Sequence, residues 1–187
     1  MQPLLCALGL SLLTMGAAGA QSVDQLTEDA AELERLLDAL RAPDLETWEA
    51  TENKIIGIWA RSGSATADLM LERAQTALEE EDYSLAVEHL SALIDHAPDF
   101  AEAWHTRATA FYHLGEHGLA LGDLRQALAL NPDHFGALTG LGVVLEELGD
   151  YDAALAAMRM AYALNPHRDR VGAAIERLRY ALGRATL

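Results

Sequence analysis

A chain of 187 residues, half of them hydrophobic and few aromatic, has material for one helical domain packed closely through its abundant Ala and Leu. The formal net charge is −16, and the acids crowd one end: residues 24–102 carry 20 Asp and Glu against 5 Lys and Arg, residues 103–187 carry 9 against 8. So acidic a body excludes a nucleic-acid partner, whose phosphates need a basic footprint; it suits a protein or peptide partner with basic residues, or plain solubility.

Residues 3–20 carry no charge. Their apolar core, Leu4 to Met15, has the length of a signal peptide and is short for a membrane span. Ala18-Gly19-Ala20 has the small-x-small form of a cleavage site. Cleavage after Ala20 is predicted, which places the mature chain in the periplasm or outside the cell. No Lys or Arg precedes the apolar core, so an uncleaved anchor is the alternative. No membrane contact is expected beyond this segment. The single cysteine, Cys6, lies inside it, leaving the mature chain without thiol chemistry.

Residues 22–64 read as an acidic helical hairpin. Leu26, Ala30, Leu33, Leu37 and Leu40 alternate at spacings of four and three, the seam of an amphipathic helix. Ala42-Pro43-Asp44 breaks it, with Asp44 as N-cap of a second helix running to about Arg61. Leu45, Trp48, Ile55, Ile56 and Trp59 form its inner face, and Ser62-Gly63-Ser64 turns the chain. Two roles compete: an N-terminal cap over the open end of the helical array downstream, or a contact for a second subunit.

From residue 65 the chain repeats. Pro98, Pro132 and Pro166 are 34 apart, and Ala86, Ala120 and Ala154 share their phase. So do Leu90, Leu124 and Met158. The turn inside each unit reads Glu81-Asp82-Tyr83, Gly115-Glu116-His117 and Gly149-Asp150-Tyr151. A small residue at the 86/120/154 position lets two helices approach closely. Asp99 and Asp133, each after a proline, are placed to cap the next helix. Residues Asp169 to Leu182 form a closing helix with Val171, Ile175, Leu178 and Leu182 on one face.

This pattern resembles the tetratricopeptide repeat family, whose units read W-x2-L-G-x2-Y in the first helix and A-x3-F, A and P in the second. The unit at 99–132 has Trp104, Ala108 and Phe111, with Arg107 in place of the usual Leu; the unit at 133–166 has Leu138, Leu141, Gly142 and Leu145; the unit at 65–98 matches weakly in its first helix and well in its second. The resemblance implies an all-α superhelical solenoid of three repeats within residues 65–168, closed by residues 169–187. It looks like the small exported repeat proteins of Gram-negative, especially alphaproteobacterial, bacteria.

His113-Leu114-Gly115-Glu116-His117 matches the H-x-x-E-H pattern of some zinc peptidases. That chemistry needs one continuous helix, and Gly115 falls at the turn of the unit. No catalytic, cofactor or metal residue is therefore assigned. A metal-binding or hydrolytic protein using His113, Glu116 and His117 stays as an alternative, as does a homo-oligomer joined through acidic front and basic tail.

What the resemblance leaves is a surface. In this family the first helix of each unit lines a concave groove, which here would present Glu102, His105, Thr109, Tyr112, His113, Thr139, Val143 and Glu146. Members that clamp a C-terminal carboxylate use Lys and Asn at such positions, and neither stands here. The expected function is a non-enzymatic protein–protein adaptor of the cell envelope, unless the lead-in or the final helix fills the groove itself.

Overall fold

The computed structural model describes residues 29–185, and the leader read at 1–20 lies outside them. The described residues form nine helices and no strand. They are α1 (29–40), α2 (Trp48–Trp59), α3 (Ala65–Glu79), α4 (Tyr83–His96), α5 (Ala101–His113), α6 (His117–Leu130), α7 (Phe135–Glu147), α8 (Tyr151–Leu164) and α9 (Asp169–Ala185). No helix among them is long and apolar enough to cross a membrane. The helices α3 to α8 make three antiparallel pairs stacked in chain order, with α9 laid on α8.

Each pair is closed by the same local device. The second residue after the first helix takes a left-handed conformation, with φ of 61° at Glu81, 77° at Gly115 and 80° at Gly149. The amides of Asp82, Glu116 and Asp150 then reach back to the carbonyls of Ala77, Phe111 and Leu145 at 2.8–2.9 Å. These bonds satisfy carbonyls that the helix end would leave open. Asp82 and Asp150 also accept from the amides of Leu85 and Ala153.

Inside the pairs the helices meet over small residues. Ala86, Ala120 and Ala154 are fully buried. At Gly142 a Cβ would stand 2.8 Å from Met158 Cγ and Cε, closer than side chains pack. Between pairs, Trp104 donates its Nε1–H to the carbonyl of Pro98 at 2.9 Å. Arg107, the departure from the family pattern, makes a two-point ion pair with Asp123 of α6 (2.7 and 2.9 Å) and donates to Ser91 Oγ of α4 at 3.1 Å. Its guanidinium lies over Trp104, 5.0 Å from the ring centre. The residue at the Leu position thus ties three consecutive helices.

Residues 29–60 do not sit where the sequence suggests. Only Ala60, at the end of the hairpin, packs against the core of α3 and α4. Leu37, Leu40 and Ile55 instead join the buried core of α7, α8 and α9 with Phe135, Leu138, Val171 and Ile175. Three aromatic and charged contacts hold the hairpin there. Trp59 stacks on His134 with ring centres 4.6 Å apart, and Trp48 stacks on His167 at 5.5 Å. The buried Glu52 carboxylate takes both arms of Arg168, from Arg168 Nε at 2.9 Å and from its terminal nitrogen. His167 Nε2 also donates to the Leu40 carbonyl at 3.1 Å. The cap over α3 is therefore corrected to a hairpin folded back on the C-terminal half. There its Trp, Ile and Leu side chains meet the large apolar residues Phe135, Leu138, Val171 and Ile175, whereas the buried face of α3 is largely Ala.

Two local expectations also change. Helix α2 begins after Thr47 rather than Asp44. Helices α5 and α7 begin after Phe100 and His134, so neither Asp99 nor Asp133 caps them. At α7 the His134 Nδ1 itself accepts from the Ala137 amide at 3.2 Å. Asn131 holds the preceding turn, accepting from the Asp133 amide at 3.2 Å, and Asn165 repeats this with His167 at 3.3 Å.

Two substitutions test these contacts. Glu81→Gly relieves the left-handed strain and should raise stability by about 0.5–1 kcal/mol, an upward Tm shift of about 2–4 °C per kcal/mol in calorimetry. Arg107→Leu restores the family residue but strands the buried Asp123 carboxylate. It should cost about 3 kcal/mol in urea unfolding, and Arg107→Leu/Asp123→Leu should recover most of that.

Candidate functional site

The first helices of the pairs line one concave side, and the folded-back hairpin divides it. Between α5 and α7 lies an open trough of about 250 Å³. Its walls include His105, Thr109, Tyr112, Thr139 and Val143. Gly136 and Gly140 add no side chain to the α7 wall, where His105 and Leu124 come within 3.2 and 3.1 Å of the places a Cβ would take. A second cavity of about 340 Å³ lies where α2 faces the same surface, between Ile56 and Trp59 on one side and His105, Phe135 and Val171 on the other. The lead-in thus covers the C-terminal part of the concave side and leaves the α5–α7 trough uncovered.

Five of the eight groove residues read from sequence therefore share one trough: His105, Thr109, Tyr112, Thr139 and Val143. The other three do not. Glu102 is 8% exposed, turned inward beside two histidines. Glu146 is held by a two-point ion pair from Arg177 of α9, at 2.8 and 2.7 Å. That guanidinium keeps the Glu146 carboxyl below its ordinary range. His113 stacks face to face on Tyr83 of α4, ring centres 4.6 Å apart, outside the trough. Neither acid therefore stands free in the groove: Glu102 is turned inward, and Glu146 is paired with Arg177.

The H-x-x-E-H segment is split as its glycine requires. Helix α5 ends at His113, α6 begins at His117, and Gly115 between them has φ of 77°. His117 packs toward Tyr112, with ring centres 5.6 Å apart. Among the described residues these three side chains do not converge as a donor set.

Another set does. Glu102 and His105 lie one turn apart on α5, and His134 stands at the start of α7. Glu102 Oε2 is 2.9 Å from His134 Nε2, and Oε1 is 3.6 Å from His105 Nδ1. Because His134 Nδ1 accepts from the Ala137 amide, the ring proton lies on Nε2 and is donated to Glu102. Burial alone would raise the Glu102 carboxyl, but the two imidazoles beside it outweigh burial and hold it well below its usual range. Burial, more than its partner Glu102, governs His134 and keeps that ring neutral to lower pH than free histidine. Sequence reasoning placed Glu102 and His105 on the groove and missed His134. The available signal was the spacing: His134 stands two residues after the second proline as Phe100 stands two after the first.

Residues 71–124 and 105–169 each match the family model of the Tetratricopeptide repeat. The chain belongs to the tetratricopeptide repeat (TPR) family. It is 35% identical over 114 residues to a TPR repeat-containing protein of Rhizobium etli, covering 60% of this chain and 56% of that one. It is 31% identical over 84 residues to the human Protein SGT1 homolog, covering 45% of this chain and 23% of that one. The chain thus spans little more than half the length of the first relative and under a quarter of the second. Among solved TPR structures, the Arabidopsis OM64 TPR domain is 27% identical with a TM-score of 0.60, over 62% of this chain and 95% of that one. The first TPR of Spaghetti (RPAP3), bound to an HSP90 peptide, has a TM-score of 0.61 at 20% identity, over 63% of this chain and 93% of that one. The Yersinia enterocolitica type III secretion chaperone SycD, in complex with a peptide of the translocator YopD, has a TM-score of 0.60 at 14% identity, over 63% and 95%.

The Glu102–His134 pair should make this TPR chain acid-sensitive, with both groups acting in the same direction. His134 resists the proton that the unfolded chain accepts below about pH 6.5, so stability should begin to fall as pH drops through that value. Glu102 stays ionised when folded, so a further loss should set in as pH falls below about 4.3, where an unfolded glutamate protonates. Tm measured from pH 8 to pH 4 in the presence of a chelator should show a plateau and then this decline. His134→Asn, which keeps a capping side chain, should remove the upper part of it.

Proposed function

We propose that the chain is a non-enzymatic interaction module that holds a peptide segment of a partner protein in the trough between α5 and α7. The observation that carries this reading is the trough itself: an uncovered, mostly apolar channel of about 250 Å³ between α5 and α7. Tyr112 supplies the amphipathic ring usual at such contacts, and Thr109 and Thr139 border the channel with small polar groups. The fold neighbours bound to an HSP90 peptide and to a YopD peptide support it. The excess of acid over residues 24–102 favours a segment with basic residues, which would be attracted at low salt.

The signal-like segment before Gln21 supports a location for this adaptor in the cell envelope of a Gram-negative bacterium. Fractionation of cells expressing the full chain checks that location; recovery only in the cytoplasm would remove it. Self-association through the basic tail is the alternative reading; Arg168 and Arg177 of that tail already pair with Glu52 and Glu146 of the same chain, which leaves it less charge to offer a second copy.

A peptide library selected on the folded chain and measured by fluorescence polarisation tests the trough. Val143→Arg, which fills it, should weaken the selected peptides by tenfold or more, about 1.4 kcal/mol. Leu119→Arg, on the exposed surface of α6, should leave them unchanged. Equal affinity for wild type and Val143→Arg would refute the site.

A further inference from the structure

We propose that Glu102, His105 and His134 form a binding site for a divalent transition metal ion of the zinc class, adjoining the peptide trough at His105. One carboxylate and two imidazoles are the donor set that borderline ions such as Zn²⁺ take. The three come from two rigid places, one turn of α5 and the first residue before α7.

The distances fit a shared ion. Tetrahedral Zn²⁺ with bonds near 2.0–2.1 Å holds its ligand atoms about 3.3 Å apart. Glu102 meets His134 Nε2 through Oε2 at 2.9 Å and His105 Nδ1 through Oε1 at 3.6 Å, so its two oxygens flank the place of an ion, and one donor atom from each of the three residues lies within 4.8 Å of the others. The 3.6 Å separation is too long for a hydrogen bond. His105 Nδ1 is buried and has no hydrogen-bond partner, the state of a nitrogen whose lone pair awaits a ligand. Glu102 is buried with only these two imidazoles in its ion pairs, so the site carries a negative charge for a cation to neutralise.

The rings are held in place by their surroundings. Trp59 stacks on His134, and a Cβ at Gly136 would stand 3.2 Å from His105 Cε1 and 3.3 Å from His134 Cε1. All three side chains line the cavity of about 340 Å³ under α2, which gives an ion a way in and leaves a coordination position for water or a further donor. Binding has a cost that marks it. An ion on His134 Nε2 displaces the proton there, and a neutral ring must then carry its proton on Nδ1. Nδ1 can no longer accept from the Ala137 amide. Ion binding therefore costs α7 this side-chain cap.

The test is titration of ZnCl2 into the full chain, free of any histidine tag, monitored by calorimetry and by amide NMR. Wild type should bind one equivalent, and the Ala137 amide resonance should move with the titration. His105→Gln, which keeps the ring's approximate volume, and Glu102→Gln should each weaken binding by at least about tenfold. His113→Ala/His117→Ala should bind as wild type does. Absence of stoichiometric binding, or binding that survives His105→Gln, overturns the proposal. So does binding abolished by His113→Ala/His117→Ala, which would assign the ion to the α5–α6 turn. Peptide binding in Val143→Arg is an independent readout, so either site can fail alone.

Discussion

The close approach of two helices over a methyl group or less is the constraint on which this structure rests. An isolated pair of short amphipathic helices cannot bury its apolar faces. Ala86, Ala120 and Ala154, each without exposed surface, and Gly142 against Met158 bring the partners near enough for the next pair to stack. The turns enforce the same geometry from the ends, since one left-handed residue per pair sends the chain back antiparallel. The stacking leaves a concave side, and both candidate binding places lie on it. Arg107 adds a polar tie across the stack where the family has an apolar residue, and it is tolerated because Asp123, Ser91 and the face of Trp104 satisfy it together.

The folded-back hairpin changes what the concave side is for. In a bare solenoid the whole groove would be open. Here α1 and α2 merge with the core of the third pair and α9, and Glu52 is sealed in by Arg168. The chain therefore covers part of its own groove and presents a short trough. A trough of about 250 Å³ accommodates a few side chains of a partner rather than an extended tail. The metal-capable cluster lies beside the covered part, against Trp59, where the hairpin screens it from bulk water.

The repeats were legible because they are local and periodic. Three prolines at one spacing, the alanines in phase and the seam of α9 each report a contact made within a few dozen residues. The position of the hairpin was not legible, because its contacts are long-range: Glu52 and Arg168 are 116 residues apart and neither sits in a motif. The same holds for Glu102 and His134, 32 residues apart, which sequence reading separated into a groove acid and an unremarked loop residue. Helical phase put Glu102 on α5 and Glu146 on α7, but it could not show that Glu102 turns inward or that Glu146 pairs with Arg177. Capping failed for a related reason. Asp99 and Asp133 have the right chemistry one residue too early, and the helices start after Phe100 and His134.

One feature of the clamp carries a mechanical meaning. His134 and Arg168 occupy the same place in successive units, 34 residues apart, and each takes hold of α2: one at Trp59, the other at Glu52. Those two points on α2 are seven residues apart, two helical turns or about 10 Å. Helix α2 therefore works as a ruler laid across neighbouring units, and it fits only one superhelical pitch. Any ligand that stretches or twists the stack between α6 and α9 must lift one end of that ruler, so the spacing of the repeats and the seating of the hairpin are a single degree of freedom.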